Sequence, residues 1–162
     1  MLVLDSTALR AGLSLPLSEG LATTQSAMDE VRLGPEARML DYLVEAGLKL
    51  LQPSAESIPR VEKAARECGD LARLSRTDVE LLALALETGA TLLTDDYSMQ
   101  NTANILGVRW QGMKQRGITE VRKWKAVCSG CRRRFDEPVA ECPVCGSEVR
   151  VGRKAVRGEK SK

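Results

Sequence analysis

Two sets of side chains in this sequence are spaced for chemistry. The first is four cysteines in two Cys-x-x-Cys pairs, Cys128 with Cys131 and Cys142 with Cys145, with ten residues between the pairs. Each short turn can aim two thiolates at one point, and four thiolates satisfy tetrahedral Zn2+ with no open position. Such an ion is structural, one per chain. Gly130 and Gly146 fall where tight turns need small residues, and Pro143 sits inside the second pair. A redox dithiol is the competing use, and two pairs at ribbon spacing argue against it. The second set is carboxylates that end apolar runs. Asp5 closes Met1–Leu4, Asp95 and Asp96 follow Thr91–Thr94, and Asp78 stands just before that second run.

In open parallel sheets, sites form outside the carboxyl ends of the strands. Carboxylates gathered there repel one another unless cations neutralise them. Hard oxygen ligands select Mg2+ or Mn2+, and two such ions can activate a water and stabilise the leaving oxygen in phosphodiester hydrolysis. The chain has no histidine. That excludes Ser-His-Asp and Cys-His hydrolysis and any histidine-based ribonuclease mechanism. Carboxylates and metal ions are left to carry a hydrolytic step.

Each acid also has a plain structural reading. Ser75-x-x-Asp78 fits a capping box, and Asp95 or Asp96 fits a helix N-cap before Tyr97. Glu30, beside Asp29, fits an exposed helical acid. Asp5 is harder to dismiss, because a charge ending an apolar strand needs a partner. The fifth cysteine, Cys68, shares an apolar helical stripe with Val61, Ala64 and Ala65 and reads as a core thiol.

The elements that must position these groups alternate. Strands are expected at Met1–Leu4, Leu21–Gln25, Leu48–Leu51, Thr91–Thr94 and Gly107–Trp110. Helices are expected at Ser26–Arg32, from Pro35 to Gly47 with Leu40, Leu43 and Val44 as apolar face, over Ala55–Cys68, from Ser75 to Gly89, and over Tyr97–Leu106. In the Ser75 helix, Val79, Leu82, Ala83 and Leu86 fall at i, i+3, i+4 and i+7. Strands alternating with helices imply an α/β domain with a mostly parallel sheet. It should cover residues 1–110, followed by a polar linker over 111–123, a zinc ribbon over 124–152, and a basic tail over 153–162 expected to be disordered.

Charge divides along the same line. Residues 1–108 carry nine Lys/Arg against sixteen Asp/Glu, a net of −7, and residues 109–162 carry fifteen against six, a net of +9. A basic module beside an acidic domain suits a polyanion. Arg132, Arg133 and Arg134 lie between the knuckles beside Phe135, a set suited to a phosphate backbone and a stacked base. A solubilising rim is the bland alternative. With neither an apolar run of membrane-spanning length nor a signal-peptide pattern visible, the expected compartment is the cytosol.

Three runs carry a family resemblance. Val3-Leu4-Asp5-Ser6-Thr7 resembles the opening of PIN-domain nucleases, and Leu74–Ala85 resembles their central helix. Leu92–Asn101, with its Thr94-Asp95-Asp96-Tyr97-Ser98 core, is similar to the Nin-one-binding branch of ribosome-maturation endonucleases, which carry a four-cysteine zinc ribbon after the PIN domain. The resemblance spans about residues 1–152. It implies a PIN-like α/β fold and a metal-dependent endoribonuclease that cleaves precursor small-subunit ribosomal RNA to its mature 3′ end. The pre-small ribosomal subunit and its assembly factors would be partners. Glu30-Val31 matches the family's second acid, so Asp5, Glu30, Asp78 and Asp96 would bind Mn2+ or Mg2+. Asp96 is preferred because the family motif places its acid two residues after Thr94, and Asp95 is the fallback. Ser6-Thr7 reverses the family's more frequent Thr-Ser order but keeps both hydroxyls.

Other readings fit less well. A receiver-type domain needs a lysine after a later strand, and none is suitably placed. A haloacid-dehalogenase-type phosphatase needs a second Asp where Thr7 stands. A non-catalytic RNA-binding adaptor on an inactive nuclease fold remains the alternative from another class, and a metal-dependent cleavage assay separates it.

Overall fold

The computed structural model describes residues 1–11, 17–32, 37–113, 122–135 and 139–155. Among the described residues, the N-terminal part is built on five short strands: β1 (Leu2–Leu4), β2 (Leu21–Thr23), β3 (Lys49–Leu50), β4 (Thr91–Leu93) and β5 (Trp110–Gln111). They form one sheet in the order β3-β2-β1-β4-β5, and every pairing is parallel. The apolar runs of β1 and β4 are central, where strands buried on both faces are expected to be continuously hydrophobic. Val3, Leu4 and Leu92 are fully buried.

Among the described residues, six α-helices flank this sheet. They are α1 (Ser6–Ala11), α2 (Gln25–Arg32), α3 (Ala37–Glu45), α4 (Ser57–Cys68), α5 (Arg76–Thr88) and α6 (Tyr97–Leu106). The first three pack on one another, as do the last three. Glycines at Gly69, Gly89 and Gly107 end α4, α5 and α6 in the left-handed conformation, where a Cβ is penalised. Leu40 and Leu43 of α3 enter the core as expected, but Val44 does not. It is 48% exposed, because the position after Leu43 is turned about 100° further round the helix. Pro35 lies outside the described residues. Cys68 is buried with Val61, Ala64 and Ala65, its thiol 3.6 Å from the Thr102 hydroxyl.

A second, antiparallel sheet follows, in the order β7-β6-β8. Its strands are β6 (Arg122–Cys128), β7 (Arg134–Phe135) and β8 (Val149–Ala155). β6 begins inside the 111–123 stretch read as a linker, and β8 continues through Ala155 into the basic segment that begins at 153. This module has its own small core of Ala126, Cys128, Cys142 and Val149, with Phe135 and Val139 packed against it. Among the described residues no helix is long and apolar enough to cross a membrane.

Candidate functional site

The sheet order reverses direction between β1 and β4. From β1 the chain proceeds outward through β2 and β3, and from β4 it proceeds the other way to β5. A crevice opens at the carboxyl ends of strands at such a switch point. Leu4 is in register with Leu93, so Asp5 and Thr94 leave the sheet side by side at that crevice. Asp95 and Asp96 follow immediately.

Asp5 is 5% exposed. Its Oδ1 accepts the Ala8 N–H at 2.6 Å, so it caps α1. The Thr94 hydroxyl is also within hydrogen-bonding reach of its carboxylate. Burial pushes the Asp5 carboxyl above the ordinary carboxylate value. Hydrogen bonds from Thr94, Ala8 and Thr7 oppose that rise, and the charge of Asp95 adds to it. Asp78 completes the capping box expected of Ser75: its Oδ2 accepts the Ser75 N–H and hydroxyl, each at 2.8 Å, and Ser75 Oγ accepts the Asp78 N–H at 3.1 Å. Burial raises the Asp78 carboxyl too. The Ser75 bonds lower it, and the charges of Asp96 and Glu30 raise it.

Asp96 is the N-cap of α6. Its Oδ1 accepts the Ser98 N–H at 2.5 Å and the Met99 N–H at 3.3 Å. Asp95 is engaged elsewhere. Its Oδ1 accepts the Met113 N–H at 2.8 Å, closing the loop after β5. Glu30 is exposed on α2, and its Oε2 accepts the Ser6 hydroxyl at 2.5 Å. Three of the four expected acids therefore cap three different helices, whose N-terminal partial positive charges favour carboxylates. Capping does not exclude metal binding, although among the described residues no three of these carboxylates come as close to one another as the four cysteine sulfurs do. Among the described residues none of these four acids has an ion pair, and Asp78 carries the unfavourable charges of Asp96 and Glu30, as Asp5 carries that of Asp95. That is the chemistry of a site fit for a hard divalent cation.

Sequence reasoning did not single out Thr94, Gln100, Ser26 or Glu80. Thr94 is fully buried. Its hydroxyl accepts the Asp96 N–H at 3.0 Å, and its carbonyl accepts the Gln100 side-chain amide at 2.9 Å, fixing the turn that presents both aspartates. The hydroxyl just before the Asp95-Asp96 pair was the available signal.

The cysteine cluster is tighter. Among the described residues, the Sγ atoms of Cys128, Cys131, Cys142 and Cys145 form the one group of candidate metal ligands lying within 4.8 Å of each other. All four are free thiols. Cys128 Sγ lies 3.3 Å from Cys145 Sγ, and Cys131 Sγ lies 3.6 Å from Cys142 Sγ. These separations exceed a disulfide bond and approach the roughly 3.8 Å edge of a tetrahedron with metal–sulfur distances of about 2.3 Å. The N–H groups of Gly130 and Cys131 point at Cys128 Sγ, at 3.3 and 3.4 Å. Gly146 has φ +67°, which disfavours a Cβ through the backbone, and a Cβ on Gly130 would collide with the Ser147 side chain.

Four thiols this close do not ionise alike. The Ser147 hydroxyl and N–H draw Cys145 down to about 5. Cys131 gains from the Arg133 N–H, yet burial and proton sharing with its sulfur neighbours push it up to about 11. A cation among them would remove that competition and release the remaining protons. Arg132, Arg133 and Arg134 are exposed beside this cluster. Arg132 holds a left-handed backbone at φ 58°. Phe135 is half-buried against the small core.

Comparison with known proteins identifies the family. Residues 2–88 match the PIN domain of ribonuclease family. The chain is 42% identical over 153 residues to Endoribonuclease Nob1 of Pyrococcus abyssi, covering 93% of this chain and 92% of that protein. It is 38% identical over 154 residues to Endoribonuclease Nob1 of Methanothermobacter thermautotrophicus, covering 91% and 90%. It is also 37% identical over 149 residues to Ribonuclease VapC1 of Thermoplasma acidophilum, covering 91% and 76%. The chain belongs to the Nob1 family of PIN-domain endoribonucleases. The parallel sheet, the flanking helices and the cysteine cluster agree with the fold expected for a Nob1-type chain. The PIN match covers Asp5, Glu30 and Asp78, and the longer Nob1 alignments take in most of the rest.

Proposed function

We propose that this Nob1-family endoribonuclease cleaves precursor small-subunit ribosomal RNA to form its mature 3′ end. It would work in the cytosol on the assembling small subunit and its assembly factors. Asp5, Glu30, Asp78 and Asp96 would hold Mn2+ or Mg2+, with Asp95 as the alternative to Asp96. Cys128, Cys131, Cys142 and Cys145 would hold a structural Zn2+. The observation that carries the metal reading is the set of helix-capping acids gathered at the β1/β4 switch point with no ion pair among the described residues. The ribosomal substrate rests on the family resemblance.

Asp5, Glu30, Asp78 and Asp96 would hold the divalent ion, whose chemistry there would be activation of a water and neutralisation of charge on the scissile phosphate. The chain's own residues do the rest. Thr94 and Ser6 hold the Asp96 turn and Glu30 in place. The acidic crevice repels RNA until it is loaded. Attraction therefore falls to the basic module, where Arg132, Arg133 and Arg134 contact the backbone and the open side of Phe135 meets a base. Mapping cuts on an RNA that spans the small-subunit 3′ end and its downstream spacer tests the substrate. One cut at the mature end, with an unrelated RNA of equal length left intact, supports the proposal. Cleavage of both RNAs alike overturns the substrate assignment, and tight binding without cleavage favours an adaptor.

A further inference from the structure

Glu80 lies outside the acid set, and it ties two of the site's helices together. Its Oε2 accepts the Ser26 hydroxyl of α2 at 2.6 Å, across 54 residues of sequence. Its Oε1 accepts from Arg76 Nε at 3.0 Å, one turn earlier on α5. The Glu80 side chain is only 18% exposed, while that of Arg76 is 93% exposed. The second interaction is thus a solvent-screened pair of small effect, and the Ser26 bond is the sheltered one. Thr24 supports it from behind, with its hydroxyl 2.9 Å from Ser26 Oγ.

Ser26 and Glu30 are four residues apart on α2 and share one face of the helix. On that face, Ser26 is bound to α5 and Glu30 is bound to Ser6 at the start of α1. Two hydroxyl–carboxylate bridges thereby stitch together the three elements that carry Asp5, Glu30 and Asp78. With both of its oxygens engaged, Glu80 is not itself placed as a ligand. We infer that Glu80 is a positioning residue: through Ser26 it fixes α2 against α5, so that Glu30 stays beside Asp78. This inference rests on the proposal that Glu30 and Asp78 hold a divalent ion.

The test is Mn2+ binding by calorimetry to the full zinc-loaded chain, with melting followed in parallel. Ser26→Ala removes the bridge and keeps the charge. Glu80→Gln removes the charge and keeps an acceptor for the hydroxyl. Outer-shell partners of metal sites are worth about 10- to 100-fold in affinity. Ser26→Ala and Glu80→Ala should each weaken Mn2+ binding roughly tenfold, the double variant should be no worse than either single one, and Glu80→Gln should bind close to wild type. Weakening by Glu80→Gln with Ser26→Ala unaffected would show that Glu80 acts through charge alone and overturn the inference. So would unchanged Mn2+ affinity in both alanine variants, whatever their melting temperatures. Failure of the wild-type chain to bind Mn2+ would instead overturn the metal reading on which the inference rests.

Discussion

Replacing Cys142 with Ser removes one of four thiolates from a module with little else to hold it. Among the described residues the module's buried core is Ala126, Cys128, Cys142 and Val149, and two of these would be ligands themselves. Zinc contributes about 10–16 kcal/mol to small modules of this kind at neutral pH. Divided over four sulfurs, that is roughly 3 kcal/mol per ligand, or about a hundredfold in affinity. The substitution isolates the ligand, because the Cys142 N–H bond to the Ser147 carbonyl, at 2.9 Å, does not use the side chain. Competition with a chromophoric chelator should therefore show zinc affinity falling about a hundredfold. Circular dichroism should show loss of the β6–β8 ribbon. The α/β domain has a separate core, and its melting transition should stay within about 2 °C of wild type. A variant that keeps its zinc within a few-fold of wild-type affinity, or one whose α/β domain melts with the ribbon, would refute this account of the module.

Three further outcomes follow from the same geometry. Asp96→Asn should melt within about 2 °C of wild type, because Asn caps helices as well as Asp. It should nonetheless lose cleavage by on the order of 10²-fold, with Asp95→Asn losing distinctly less; the reverse order makes Asp95 the ligand. Arg133→Ala with Arg134→Ala should weaken RNA binding and flatten its dependence on log salt by about two units, with the metal requirement unchanged; an unaltered slope in a filter-binding series counts against the ribbon as the RNA-holding surface. Glu87 is held below the usual carboxylate range by the Ser54 and Ser57 hydroxyls. A depressed native value stabilises above the unfolded pKa and is lost as pH falls through the native one. Glu87→Gln should thus lower the melting temperature by roughly 1–2 °C at pH 7, a solvent-screened effect. The difference should vanish in strong acid, and a difference that persists there contradicts the linkage.

Much of this was legible because it is local. The α6 helix runs Tyr97–Leu106 as its residues imply. The Ser75–Asp78 box needed only spacing three, and the cysteine cluster needed two short turns. What was not legible depends on chain segments meeting in space. Nothing near Asp5 announces that it caps α1 while lying beside Thr94, 89 residues further along the chain. Nothing near Ser26 announces Glu80. Sequence left Asp95 and Asp96 as alternative caps, with Asp96 preferred as ligand and Asp95 as fallback, whereas in space one closes the β5 loop and the other caps α6. Val44 shows the opposite failure, since apolar spacing placed it with Leu40 and Leu43 and packing left it outside.

On the proposed function, Asp5 and its neighbours work by holding divalent metal. Single-turnover cleavage of the small-subunit 3′ RNA, followed as Mn2+ is added to wild-type and Asp5→Asn chains, tests it most directly. The wild type should be silent without added metal and saturate with it. Asp5→Asn, which keeps shape and removes one charge, should stay slower by on the order of 10²-fold or more at every Mn2+ concentration, equal to roughly 3 kcal/mol of barrier, while binding RNA as tightly as before. Cleavage by Asp5→Asn at the wild-type rate, or wild-type cleavage that persists in chelator, would contradict it.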